Sequence, residues 1–450
     1  MTFARIYFRI VVSSFFSLAV MISSAQALSL LDAYEAALEN DPLFRAAVHE
    51  NEAGQQTEKI GRAGLLPNLS ITHTDSESTG TRQFSGQPQT PLNFHSQVSA
   101  LSLRQPIINM EAAASYRQGK AQANSSRARF TGQSQELVIR LSEAYFAALL
   151  AQHQVGLAQS QLDSLTELKR VNEQMLLKGE GTTTDVLETQ SRHALAEAVL
   201  IEAQDEMEVA QLRLESMIGL EVTQLHHLSD FFQAEMVHLP DFEDWRALAL
   251  DRNAVLVTQR HALQSSKEEI RRSYAGHTPR VDLVASLSRN KSASFVTSNQ
   301  NVELATIGVE VNVPLYAGGR VMATTDQAKA NFARAEAELD AAVDNVLVEL
   351  RRQYQLALSS VKRIKSLELA VKSAKLLVIA TEKSIQGGIR INLDLLDAQQ
   401  QLFNSQINLA EAKYNFLLAY LRLNFTAGTL VLDDLQRVAA FFSPENPLSD

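Results

Sequence analysis

Prolines fall at 42, 67, 88, 91, 106, 240, 279, 314, 445 and 447, which leaves two long spans, 107–239 and 315–444, without one. Proline removes a helical N–H and collides with the preceding turn, so its absence over such lengths permits helices longer than a globular domain holds. The stretch ELVIRLSEAYFAALLAQHQV from Glu136 places Val138, Leu141, Tyr145, Ala148 and Leu149 on one helical stripe, and NVLVELRRQYQLALSSVKRI from Asn345 repeats the spacing. The pattern predicts unbroken helices from about Glu111 to Leu177 and from about Val321 to Ile385, each roughly 100 Å long at 1.5 Å per residue. Elements of that length imply a coiled-coil or tubular assembly.

The two spans belong to a duplication with an offset near 209 residues. Leu66-Pro67-Asn68 matches Thr278-Pro279-Arg280, Gln105-Pro106-Ile107 matches Val313-Pro314-Leu315, and Gly219 matches Gly428. KGEGTTTDVLETQ from Lys178 aligns with QGGIRINLDLLDAQ from Gln386, which sets Asp185 opposite Asp394 and Glu188 opposite Asp397. The boundaries that follow are repeat 1 over 28–239 with a helical hairpin at 107–230, repeat 2 over 240–430 with a hairpin at 315–428, and a tail at 431–450. Neither repeat has a core of its own.

Four short stretches carry a period of two. LSITHT from Leu69 alternates Leu69 and Ile71 with Ser70 and Thr72, and VDLVASLS from Val281 alternates Val281, Leu283, Ala285 and Leu287 with Asp282, Ser286 and Ser288. Their partners start at Ser96 and Val302, behind the polar loops 80–91 and 290–301, so strands are expected near 67–77, 96–106, 279–290 and 301–314. Strands with one apolar face suit a transmembrane β-barrel, but four cannot close one. Open edges in lipid leave backbone groups unpaired, so other copies of the chain must supply the missing strands.

Composition narrows the function. Residues 1–27 carry Arg5 and Arg9, an apolar run from Ile10 to Ile22 and Ala25-Gln26-Ala27, the pattern of a secretory signal peptide. Its removal takes the net charge from -10 to -12, a poor fit to nucleic acid. With no cysteine, disulfides, thiol catalysis and Cys-type zinc sites are excluded together. No apolar run after residue 27 approaches the ~18 residues of a membrane-spanning helix. His226, His227 and His238 lack metal-ligand spacing, and no nucleotide-binding or nucleophile-elbow motif occurs, so neither a cofactor nor an enzymatic activity is expected.

These features together resemble the TolC family of outer-membrane efflux and secretion channels. The resemblance is carried by Pro314-Leu-Tyr-Ala-Gly-Gly-Arg320, the duplicated glycine turns, SLLDAYEAALENDP from Ser29 and GLLPNLS from Gly64. It implies a mainly α chain with a transmembrane β-barrel: a homotrimer whose twelve-stranded barrel in the outer membrane of a Gram-negative bacterium continues into a twelve-helix tube across the periplasm. It implies junctions between barrel and helices at Pro106, Pro314, Tyr316, Gly318 and Gly319. A periplasmic adaptor would dock on the tip turns at Gly179, Gly181, Gly387 and Gly388, and an inner-membrane transporter, ABC-type or proton-driven, would supply the energy.

On the same resemblance, Asp394 and Asp397 form acidic rings at the pore entrance, where a focused negative potential attracts cations. Arg390 matches a gate arginine reaching Thr184 and Asp185 of a neighbouring turn. Ile385 stands where the family's gate carries a tyrosine. The residues alone also permit plainer roles: Asp394 and Asp397 as first-turn acids on a helix dipole, Asp185 and Glu188 as caps, Arg390 as a solvated cation, and Tyr316 and Phe295 as packing residues rather than members of an interfacial aromatic belt. A periplasmic coiled-coil protein without a pore is the competing class.

Overall fold

The computed structural model describes residues 27–229, 232–236, 239–292, 300–387 and 389–443. The expected signal peptide up to residue 26, His238, Phe295, Gly388 and residues 444–450 lie outside the described residues. The elements are α1 (Leu30–Asn40), α2 (Pro42–Ala63), β1 (Asn68–Arg82), β2 (Thr90–Ile108), α3 (Met110–Lys178), α4 (Thr183–Ile218), β3 (His227–Leu228), α5 (Phe242–Arg252), α6 (Ala254–Tyr274), β4 (Arg280–Ser292), β5 (Gln300–Asn312), α7 (Arg320–Gln386), α8 (Asn392–Ala427), α9 (Leu432–Ala439) and β6 (Phe442–Ser443).

Helices α3 and α7 run 69 and 67 residues without a break, roughly 100 Å each. Asn109 starts α3 by accepting the Ala112 N–H at 3.0 Å. Each long helix folds back on a 36-residue partner, α3 on α4 and α7 on α8. Both partners end on a glycine in the left-handed region, Gly219 at φ +69° and Gly428 at φ +71°.

The sheet has the order β1-β2-β4-β5 with every pair antiparallel, so β1 and β5 are open edges. Its register gathers the apolar side chains on one face: Leu69 lies opposite Leu103, Ile71 opposite Leu101, Leu101 opposite Leu287, and Ala285 opposite Ile307. Ile71 is 80% and Ile307 76% exposed within the chain. A contiguous apolar face of this kind is what a membrane-spanning sheet requires, whereas the opposite face carries Ser70, Thr72, Ser102, Ser286 and Thr306. On that polar face, near the helices, Arg104 and Arg280 hold the buried Asp282 at 2.7 and 2.9 Å, and Arg104 also reaches Glu310 at 3.0 Å.

The first β-hairpin is longer than its side-chain alternation suggests. The ladder continues through Asp75, Ser76 and Glu77 to the Arg82–Thr90 pair and leaves only 83–89 as loop. Backbone pairing between neighbouring strands does not need an apolar face, and the polar extension is tied by Asp75, which accepts from Gln97 at 3.0 Å and pairs with His95 at 2.5 Å.

The main core lies midway down the helices and draws on both repeats. Leu137, Leu141, Tyr145 and Leu149 of α3 and Leu214 and Ile218 of α4 meet Phe416, Leu417 and Leu421 of α8, with α1 and α9 packed alongside. The Tyr145 hydroxyl donates to the Leu28 carbonyl at 2.8 Å and accepts the His226 N–H at 3.1 Å. This belt anchors the hairpins whose far ends form the tip.

Candidate channel entrance at the helical tip

The first tip turn closes tightly. Gly179 adopts φ +78°, and the N–H groups of Gly179 and Glu180 donate to the carbonyls of Leu176 and Met175 at 3.0 and 2.9 Å. Gly181 follows, and Thr182 then starts α4 with a capping box: its hydroxyl accepts the Asp185 N–H at 3.1 Å and donates to Asp185 Oδ2 at 2.6 Å. The plainer reading of Asp185 as a cap is thus the geometry found; Glu188, one turn on, is half-buried.

The second turn differs although it aligns with the first. Gly387 sits at φ -83°, with its N–H on the Lys383 carbonyl at 3.1 Å. The N-cap position of α8 is Ile391, which has no hydroxyl to offer. Asp394, the counterpart of Asp185, therefore has no box, and among the described residues neither its carboxylate nor the Arg390 guanidinium has a hydrogen-bond or ion-pair partner. The gate contact from Arg390 to Thr184 or Asp185 does not form within one chain, where Asp185 is engaged by its own cap. The tip also carries bare apolar side chains, including Leu177 at 87%, Ile389 at 82% and Ile391 at 63% exposure.

Asp397, three residues beyond Asp394, is in a different state: its Oδ1 lies 2.7 Å from Arg192 Nη2 on α4. A turn nearer the tip, the fully buried Thr189 hydroxyl accepts from Asn172 Nδ2 of α3 at 2.8 Å and from Asn392 Nδ2 of α8 at 3.2 Å, while donating to the Asp185 carbonyl at 2.8 Å. Its hydrogen-bonding capacity is full. Leu396 packs against Leu165 and Ala196 just above, and Gln161 donates to Gln400 at 2.9 Å. The start of α8 thus lies against α3 and α4. The nearby Arg170 is spent on its own helix, where it chelates Glu167 at 2.6 and 2.9 Å and holds that carboxyl below the ordinary range.

Sequence reasoning missed Arg192, Asn172, Thr189 and Asn392. A signal was present for two of them. Leu165, Leu168, Asn172 and Met175 follow a coiled-coil seam, so Asn172 is a polar residue at an apolar position, and Thr189 stands seven residues before Ala196 on the facing seam.

At the other end of the helices, Pro106 marks a register slip: it pairs with Asp282, and Ile108 pairs with Val281. Pro314 follows β5, and Gly318 and Gly319, at φ +62° and +79°, turn the chain into α7. Tyr316, on the loop between β5 and α7, is 88% exposed within the single chain and makes no packing contact there among the described residues.

Comparison with known proteins decides the class. The profile of the outer membrane efflux protein family matches residues 33–220 and 245–429, one segment in each repeat. The chain belongs to this family. It is 42% identical over 439 residues to the alkaline protease secretion protein AprF of Pseudomonas aeruginosa, covering 96% of this chain and 91% of that protein. It is 40% identical over 425 residues to the proteases secretion protein PrtF of Dickeya chrysanthemi, covering 93% and 92%. Among solved structures, the outer membrane protein VceC of Vibrio cholerae superposes with a TM-score of 0.75 at 18% identity, over 89% of this chain and 96% of that one. As a family member the protein is an outer-membrane channel extending into the periplasm and not an enzyme, and the TolC-like reading of the sequence holds over the poreless coiled coil.

Proposed function

We propose that this chain is the outer-membrane exit duct of a type I protein secretion system with exported proteases among its cargo. The observation that carries the reading is the 42% identity to AprF across nearly the whole of both chains, with PrtF close behind. Three copies close the barrel, each β5 edge pairing with the next copy's β1 edge, because a lipid-exposed sheet cannot leave its edges bare. Tyr316 then lies at the periplasmic rim as an interfacial aromatic. The chain is a passive conduit: an inner-membrane ABC transporter drives export, and a periplasmic adaptor seats on the tip turns, where Leu177, Ile389 and Ile391 offer it apolar surface.

In this reading Asp394 contributes to an acidic entrance, with Asp397 beside it, and Arg390 reaches Thr184 and Asp185 of a neighbouring subunit to hold the tip shut. The test is export. The gene placed in a strain lacking its own protease-secretion duct, together with the matching transporter and adaptor, restores a protease halo on casein agar. No halo from a protein that reaches the outer membrane refutes protease secretion, and restored resistance to small toxic compounds in a duct-deficient strain would assign the chain to efflux instead.

A further inference from the structure

Just beyond the sheet, α3, α6 and α7 lie side by side as one layer with grooves on both of its sides. Two of the grooves share Glu111 and Arg272, and one of these is also lined by Arg280, which alternation along β4 sets on the polar face with Asp282. A third groove, of about 670 Å³, is lined by the same three helices but has no residue in common with the other two. It therefore opens on the other side of the layer, the side of the sheet's apolar face.

The lining of this groove is ordered along the helices. Met110 opens α3 two residues after β2, Met322 is the third residue of α7, and Tyr274 ends α6 six residues before β4, packed edge-on against His277. All three are more than half exposed, so they form an apolar collar directly below the sheet. Arg117 and Lys329 stand seven residues further along α3 and α7, and Arg271 one turn below Tyr274, each lining the same groove. Seven residues are two helical turns, roughly 10 Å on one helix face. A tier of cations thus lies beneath the collar on every helix of the layer, and long basic side chains can reach back toward a membrane surface.

The cations are also held in place. Glu268 is 1% exposed and accepts from Arg117 Nε at 2.8 Å, from Arg271 Nη1 at 2.5 Å and from Gln264 Nε2 at 3.1 Å. One buried carboxylate serves two guanidinium groups, which leaves one net positive charge. The remaining N–H groups of both arginines have no acceptor among the described residues. Lys329 is balanced by Asp326 at 3.0 Å, so the excess charge belongs to the arginine pair. Two fixed guanidinium groups below an apolar collar fit a phosphodiester whose hydrocarbon lies above it.

We infer that this groove binds an anionic phospholipid of the periplasmic leaflet. The phosphodiester lies against Arg117 and Arg271, and the acyl chains run past Tyr274, Met110 and Met322 onto the apolar face of the sheet. A lipid held across three helices ties the junction of barrel and tube to the membrane surface and fixes its depth there. The inference rests on the sheet spanning the outer membrane and not on the nature of the cargo, so failed protease export would leave it standing.

The experiment is native mass spectrometry of the full-length protein in detergent, titrated with phosphatidylglycerol, phosphatidylethanolamine or lipid A. Phosphatidylglycerol is expected to occupy one tight site per chain, about tenfold tighter than phosphatidylethanolamine. Arg271→Gln, which leaves Arg117 on Glu268, should weaken it about fivefold, and Lys329→Glu, a change of two charges at an exposed position, about twentyfold. Arg272→Gln, on the polar side of the layer, should leave binding as in wild type. Lys329→Glu carries the test whether or not Arg271→Gln folds, because Lys329 pairs with nothing but Asp326 among the described residues. Equal binding of the two phospholipids overturns the inference, as do affinities unchanged in both groove variants or lowered as much by Arg272→Gln. Preference for lipid A would place the ligand in the wrong leaflet, and displacement by millimolar inorganic phosphate would reduce the groove to a plain anion site; either result overturns it as well.

Discussion

Gly219 and Gly428 end equivalent helices in the same left-handed conformation, yet the fold gives them different neighbours, and replacing each by alanine separates backbone strain from crowding. Both variants carry the left-handed penalty of an L-residue, about 1–2 kcal/mol. At Gly219 a Cβ meets the Asn40 side chain, with Cγ at 2.9 Å. That side chain can rotate away, losing its hydrogen bond to the Ile218 carbonyl, about 1 kcal/mol. At Gly428 the Cβ would lie 2.6 Å from the Asn253 backbone N and closer still to the Arg252 carbonyl, so main chain must move. That main chain is the α5–α6 junction, where Asn253 caps α6 through Val255 and Leu256 and donates to the Thr426 carbonyl at 2.8 Å. Overpacking adds about 1–3 kcal/mol and a disturbed cap about 1 more. Gly219→Ala is thus expected to lose about 2–3 kcal/mol and Gly428→Ala roughly 3–6. Urea unfolding in detergent, followed by far-UV circular dichroism, measures both. Equal losses in the two variants would refute the reasoning, since it would mean the α5–α6 junction yields as easily as a side chain.

Asp282→Asn leaves Arg104 and Arg280 facing each other without their buried carboxylate and is expected to destabilise the sheet by about 2 kcal/mol, against under ~1 for Glu310→Gln at the exposed end of the same network, read as the temperature at which the heat-modifiable form is lost. Tyr145→Phe removes the hydroxyl that bridges the Leu28 carbonyl and the His226 N–H and leaves them only their own 3.2 Å bond, costing about 1 kcal/mol, and limited proteolysis should cut near residue 28 sooner. Asp394→Asn should lower cation selectivity in a bilayer with little change in stability, whereas Asp185→Asn, its counterpart inside a capping box, should lose about 0.5–2 kcal/mol with selectivity unchanged. The opposite assignment of the two effects would mean that the duplicated carboxylates have exchanged roles.

The long helices were legible because a proline-free span with an apolar stripe has few other ways to bury that stripe, and the apolar face of the sheet was legible from the alternation after Leu69 and Val281. The strand ends were not, since past His73 the ladder runs on through backbone pairing that side chains do not announce. At the tip, local signals identified the capping role of Asp185, three residues after Thr182. The different states of Asp394 and Asp397 could not be read locally: what separates them is an arginine 205 positions away in the chain, and only the folding of α8 against α4 brings it into reach.

The two bare edges of the sheet have a genetic consequence. In the proposed ring of three, each subunit would offer β1 to one neighbour and β5 to the other, so a copy with one damaged edge would still join a ring on its sound side and leave it unclosed. In a cell making intact and edge-damaged copies in equal amounts, only about one ring in eight would be wholly intact. A lesion in β1 should therefore act dominantly over a normal allele, while deletion of the gene, which removes the spoiling partner too, should be recessive.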